Sequence, residues 1–176
     1  SSSSEYVSIS AAKNAADSKF SMEVSQLAQN QKLASTAFTS TTAEVVVGTI
    51  KLDLGKNTTA TGVTSFTSNP EKTSKTITID ASNNTLSGVR DAINNAKAGV
   101  TASIINDGSG YKLTIVSNDT GESNALKITT TDTGDGVDTD AAGLSRLAYN
   151  AATGGAANLT QNQAAQNAKF KVDGID

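Results

Sequence analysis

"TLSGVRDAINNAKAGVTASIINDGSGYKLTIVSNDTG", residues 85–121, is the most strongly patterned stretch of this chain, and its reading decides the fold. Thr85 or Ser87 can N-cap a helix by accepting a free backbone N–H. Leu86, Val89, Ile93 and Ala96 then fall on one helical stripe, with Arg90, Asp91, Asn94, Asn95 and Lys97 expected to face water. Gly99 stands where a left-handed C-cap is wanted, and Val100 beyond it supplies the apolar closure. "VTASIIN" and "YKLTIVS" flank "DGSG" at 107–110, a hairpin signal because Asp and Gly suit tight turns. Val100, Ala102 and Ile104 alternate with polar neighbours, as do Tyr111, Leu113 and Ile115. "TITID" (76–80) precedes the stretch and "ALKITT" (125–130) follows it, which makes a β-α-β-β-β unit that needs no ligand to explain it.

Outward from this unit the pattern weakens. Residues 1–5 are low-complexity serine, expected to be mobile. "YVSIS" (6–10) and "KFSMEVSQLA" (19–28) read as strands joined through "AAKNAAD". Phe20, Met22 and Val24 alternate with Ser21, Glu23 and Ser25, which predicts one buried and one wet face. Residues 29–38 fit either strand or loop. "EVVVGTIKLDL" (44–54) reads as a strand with Ile50, Leu52 and Leu54 on one face, and residues 55–75, with the one proline, as a long loop or loose hairpin. An acidic, Gly-rich segment covers 131–143, a short helix is expected near 144–150, and 151–163 reads as a linker or loose loop. Strand character returns at Phe170 and Val172.

Composition narrows the function classes. Ser, Thr, Asn and Gln make up 66 of the 176 residues and aromatics only 4%, so any core rests on Val, Ile, Leu and Ala. The net charge of −3, with no basic stripe, argues against nucleic acid and against an anionic membrane surface. With no Cys and no His, thiolate chemistry is absent and so are the commonest metal ligand and general base. No apolar run reaches the length of a membrane span and no signal-peptide apolar region is present. The chain opens on "SSSSEY" and stops at "KVDGID", which reads as a fragment.

The residues that could suggest a site have plainer readings. Asp132, Asp135, Asp138 and Asp140 could offer oxygen ligands to calcium, but their spacing fails the EF-hand pattern and "GDGVD" matches a β-roll repeat once and imperfectly. A solvated turn accounts for them. "NDGSGYK" lacks the length and the Lys-Ser/Thr ending of a phosphate loop, and Arg90–Asp91 reads as a surface pair. Asn-x-Ser/Thr triplets at Asn57, Asn83, Asn118 and Asn158 are expected by chance in so Asn- and Thr-rich a chain. No catalytic residue, cofactor-binding residue or metal ligand is assigned, and the chain is not read as an enzyme.

The same residues carry a resemblance. Leu86, Val89, Ile93, Asn94, Gly99, Val100, Ala102, Ser117, Thr120 and Gly121 stand as in the "IN" module of bacterial flagellar axial proteins: a Leu-x-x-Val/Ile-x-x-x-Ile-Asn helix, a Val-x-Ala strand and a Ser-x-x-Thr-Gly turn. Two flanks, "FSMEVSQLAQNQKLAS" (20–35) and "AAQNAKFKVDGID" (164–176), are similar to segments of the flagellar filament cap (hook-associated protein two) family, in the same order. Residues 40–75 and 130–160 match nothing distinctive.

That resemblance implies a mainly β (α+β) fold with two small β-rich head domains, one inserted in the other, and one short helix. The outer domain, discontinuous and incomplete in this chain, is expected from residues 1–43 plus 161–176, and the inserted one from 44–160, with the IN module at 85–121. The implied function is structural: capping the distal tip of the filament, promoting flagellin polymerisation and preventing flagellin loss. The implied partners are the chain itself, as a cyclic homo-oligomer, and flagellin, with host surface glycans as a further candidate. The implied location is extracellular, at the flagellar tip, reached by the flagellar export route without a cleaved signal peptide. A surface adhesin, a glycan-binding module, and a flagellin or hook–filament junction protein are the alternatives; a carboxylate hydrolase has no motif behind it.

Overall fold

Alternating apolar residues and Thr-rich runs build strands along most of this chain, as β-branched side chains fit a pleated surface. The computed structural model describes residue 13 and residues 19–175; the serine lead, the strand expected over 6–10 and nearly all of its connection lie outside these. Ten strands and one α-helix occur among the described residues, a β-rich fold in line with the expected class.

The first sheet has the order β6-β7-β2-β9, from Val100–Asn106 (β6), Tyr111–Ser117 (β7), Lys32–Ala34 (β2) and Thr160–Gln163 (β9). The second is centred on the long strand β3 (Gly48–Ala60). On one side β3 pairs with β5 (Lys75–Ile79) and β4 (Val63–Ser68), and it also pairs with β8 (Ala125–Asp132). The five elements expected as one β-α-β-β-β unit occur in that order, but β5 and β8 lie in the second sheet while β6 and β7 lie in the first. Helix α1 (Leu86–Asn95) packs mainly on β6. Leu33, Ile50, Ile79, Leu86, Ile93, Leu113, Leu126 and Leu147, from both sheets, the helix and the loops, meet in one apolar cluster.

A separate two-stranded sheet pairs β1 (Met22–Gln26) with β10 (Lys169–Val172), Val24 opposite Phe170. Between it and the first sheet the two chain segments touch once more, through reciprocal bonds between the Gln29 and Gln166 backbones at 2.9 and 3.1 Å. Gln26 Nε2 donates to the Asn167 carbonyl and Gln166 Nε2 to the Leu27 carbonyl, so this neck is held by amides rather than by apolar packing.

Several expectations are corrected. Of the two readings of 55–75 the hairpin holds for 55–68, with residues 69–74 as a loop, and it is regular: β3 and β4 pair from Gly55 to Ala60 across the two-residue turn Thr61–Gly62, both at positive φ. Its apolar period is missing because both faces are largely solvated, and Thr propensity carries the strand instead. The region 151–163 contains β9, with Leu159 buried beside it, where a loose loop was expected. The helix expected near 144–150 is one 3-10 turn, Ser145–Leu147. β2 and β9 belong to the first sheet, and Leu33 and Phe38 to the main core.

Candidate assembly surface

The IN module is built from the helix outward. Thr85 caps α1, its hydroxyl accepting the Gly88 N–H at 3.1 Å, and Ser87 does not take that role. Leu86, Val89 and Ile93 are fully buried, with Ala96 packed against the same cluster. Arg90 and Asp91 pair with each other at the surface, with a closest approach of 2.7 Å.

Two residues of the module do something the sequence reading did not expect. Asn94 does not simply face water. Its side-chain amide donates to the Ala102 carbonyl at 2.9 Å and its side-chain oxygen accepts the Ala102 N–H at 2.8 Å. β6 is an edge strand, and Asn94 supplies at Ala102 the two bonds that a further strand would make. Gly99, in turn, does not end the helix. The helix closes at Ala96 and the left-handed residue after it is Lys97, at φ 49°. Gly99, at φ 75°, lets the chain approach the sheet: a Cβ there would lie 2.8 Å from Leu54 Cδ1. Its carbonyl accepts the Asn118 N–H at 2.9 Å, opening the β6–β7 pairing.

The Ser-x-x-Thr-Gly turn is tied to the neck. The Ser117 hydroxyl, fully buried, accepts the Gln31 N–H at 3.0 Å and donates to the Asp119 carbonyl. Gly121, at φ 98°, donates its N–H to the Gln29 carbonyl, and the Thr120 carbonyl accepts from Asn124. Val100 and Ala102 are buried. The ten module residues thus connect helix, edge strand and neck; they line no cleft together.

Electrostatics at the loops is local. Asp107, at the β6–β7 turn, accepts from Lys112 Nζ at 2.6 Å and from the Ser109 hydroxyl and amide, which hold its carboxyl well below the usual carboxylate range. The Ser82 hydroxyl and amide lower Asp80 in the same way, and the Ser145 hydroxyl is the main cause of the lowering at Asp140. Of the four aspartates weighed for calcium, Asp132 turns inward, its carboxylate accepting N–H bonds from Gly134, Leu144 and Ser145. Asp138 accepts the Asp132 N–H. These carboxylates organise the 133–145 loop, and among the described residues no group of three or more acidic side chains is arranged to hold a metal.

Sequence reasoning missed Gln31. It is almost wholly buried, and its side chain bridges the sheets by accepting the Leu126 N–H while donating to Gln161. The Tyr149 hydroxyl donates to the same Gln161 oxygen, and burial raises its pKa. A polar Gln in a Gln/Asn-rich run carries no periodic signal that would have singled it out.

The face expected to be buried on β1 is open. Phe20, Met22 and Val24 are 40–46% exposed, and Phe170 opposite is 54% exposed. The alternation is real, but a two-stranded sheet has no second layer to cover it.

The module, the edge strand it holds and the Gln-rich neck can be set beside known proteins. A family model for the flagellin hook IN motif matches residues 38–119. The D2-D3 domains of the flagellar cap protein FliD from Escherichia coli are 34% identical over 94% of this chain and 76% of that one, with a TM-score of 0.74. FliD (HAP2) from Pseudomonas aeruginosa PAO1 is 34% identical, over 94% of this chain and 67% of that one, at 0.69. The Serratia marcescens D2-D3 domains follow at 28% identity, 88% and 74% coverage, and 0.65. No curated protein matches. The class is therefore that of flagellar axial proteins carrying the IN motif. Within it, the chain belongs to the flagellar cap protein FliD family. It spans 40% of the E. coli structure that holds D1, D2 and D3.

Proposed function

We propose that this chain is part of the head of a filament cap, which sits at the flagellar tip, promotes flagellin polymerisation and prevents flagellin loss. The observation that carries this reading is 34% identity to cap-protein D2-D3 domains across 94% of the chain.

The mechanism is mechanical. Copies of the head meet as a cyclic homo-oligomer and flagellin is the partner beneath, outside the cell, after export by the flagellar route without a cleaved signal peptide. The domain division belongs to the proposal too: residues 29–166 form the larger unit, and 19–28 with 167–175 form part of a second, joined through the Gln29–Gln166 neck. Host surface glycans find less support. The polar cleft between Gln31, Asn57, Tyr149 and Gln161 is partly closed by the Tyr149–Gln161–Gln31 bonds.

Complementation tests the reading. The full-length parent protein, supplied to a cap-deficient strain, is expected to restore filaments. Continued leakage of flagellin into the medium, with the protein expressed and exported, would overturn it.

A further inference from the structure

Two patches of opposite charge occupy opposite corners of the β5–β3–β8 sheet. The first is a groove of about 280 Å³ lined by Glu71, Lys72, Thr73, Lys75, Lys97 and the Ala98–Gly99 backbone turn. Lys72 pairs with Asp119 at 2.6 Å, whereas Lys75 and Lys97 are exposed and form no ion pair among the described residues. The second is the 133–139 loop. Residues 131–143 hold four aspartates and no Lys or Arg, and Asp135 and Asp138 are exposed. Between them Val137, 46% exposed, is apolar in an otherwise polar loop.

Their placement follows from strand register. Lys75 pairs with Leu52 on one side of β3, and Asp132 pairs with Gly48 on the other. Four residues along a strand and two strand spacings across separate these corners by about 17 Å. Within one molecule neither patch can neutralise the other.

We propose that the lysine groove of one head receives the 133–139 loop of the next copy in a head-to-tail contact. A two-fold contact through either patch would set like charge against like. A heterologous contact sets unlike charges together and can repeat from copy to copy, as the ring of the proposed function requires. The carboxylates fix the register against Lys75 and Lys97, and Val137 meets the Ala98–Gly99 floor. This rests on the ring-forming reading above and names the residues that would join its copies.

Sedimentation velocity on the full-length protein, over a concentration series at low salt and at about 0.5 M salt, tests it. The wild-type ring should weaken at the higher salt. Lys75→Glu with Lys97→Glu, and separately Asp135→Lys with Asp138→Lys, should each raise the dissociation constant about tenfold or more. The fourfold charge swap should return it to within about threefold of wild type. Asp135→Asn with Asp138→Asn keeps the side-chain oxygens that accept the Val137 and Asp132 N–H groups, so a weakening there reports charge rather than loop collapse. Reversals that assemble like wild type, or a swap that restores nothing, overturn the contact while leaving the cap reading intact. A wild-type protein that stays monomeric at micromolar concentration overturns both. Charge-reversed proteins that form normal rings yet let flagellin leak would assign the patches to the filament and overturn the contact between heads.

Discussion

Asn94 shows how much one side chain can decide in this fold. It stands on the helix surface, where sequence position alone says water, yet its amide satisfies both backbone groups of Ala102. Asn94→Ala should destabilise the protein by about 1–3 kcal/mol, since two bonds to an edge strand go and partly buried groups are left unpaired. Chemical denaturation of the two proteins reads this directly, and a difference below about 0.3 kcal/mol would argue that the clamp is idle. Asp132 works inward in the same manner. Asp132→Ala removes the acceptor for three N–H groups and should cost about 2–4 kcal/mol, with the loss of protection in hydrogen exchange centred on 133–145. At the surface, hydrogen bonds to neighbouring side chains and amides hold the carboxyls of Asp80, Asp107 and Asp140 below the ordinary carboxylate range. Lowered acids stabilise the folded state above the ordinary carboxylate pKa, and that contribution is lost as pH falls through their folded values. Thermal stability should therefore drop as pH is taken below about 4, and Asp107→Asn should make the drop shallower. An unchanged slope in that variant would remove Asp107 from the account.

Elements here are set by local rules where the period is clear, and by neighbours where it is not. The helix follows its cap and stripe: Thr85→Ala should cost about 1 kcal/mol in a thermal or urea melt, and Ser87→Ala much less. The hairpin β6–β7 was legible from "DGSG" and two alternating strands. The hairpin β3–β4 was not, because Thr and Asn on both faces give no apolar alternation, and only the Thr61–Gly62 turn marked it. β2 is the opposite case. Three residues long, it lies in the middle of a sheet because β7 and β9 flank it and Leu33 is wholly buried, something no window around "KLA" could signal. Gly99 was correctly singled out as special and given the wrong duty. Its positive φ serves close approach to Leu54, while Lys97 ends the helix despite its side chain.

At the scale of the molecule, residues 22–26 and 169–172 pair as β1 and β10, and the larger unit lies between them in sequence. The β1–β10 sheet contributes nothing to the main apolar cluster. A chain of residues 29–166 should therefore fold with close to the stability of the longer one, measured by the midpoint of thermal unfolding. Leu33→Ala, by contrast, should cost about 2–5 kcal/mol because it leaves a cavity between the sheets. A 29–166 chain that failed to fold would mean that the neck carries the larger unit rather than merely joining it.

The sequence by itself determined the helix, the DGSG hairpin, most strands and the family, because each rests on contacts between residues close along the chain or on a motif with fixed spacing, and it narrowed the cap to Thr85 or Ser87. Only the tertiary structure decided which strands share a sheet, that Asn94 clamps the backbone of the neighbouring edge strand, and that Gln31 holds a backbone group of β8. The strand pairings reach far along the chain, as between Val24 and Phe170, and the Gln31–Leu126 bond nearly as far, so a short window holds no record of the partner; Asn94 finds Ala102 close by, but only once the helix is docked on the strand. Alternation states that a strand has an apolar face; what lies against that face is a property of everything else that folds beside it.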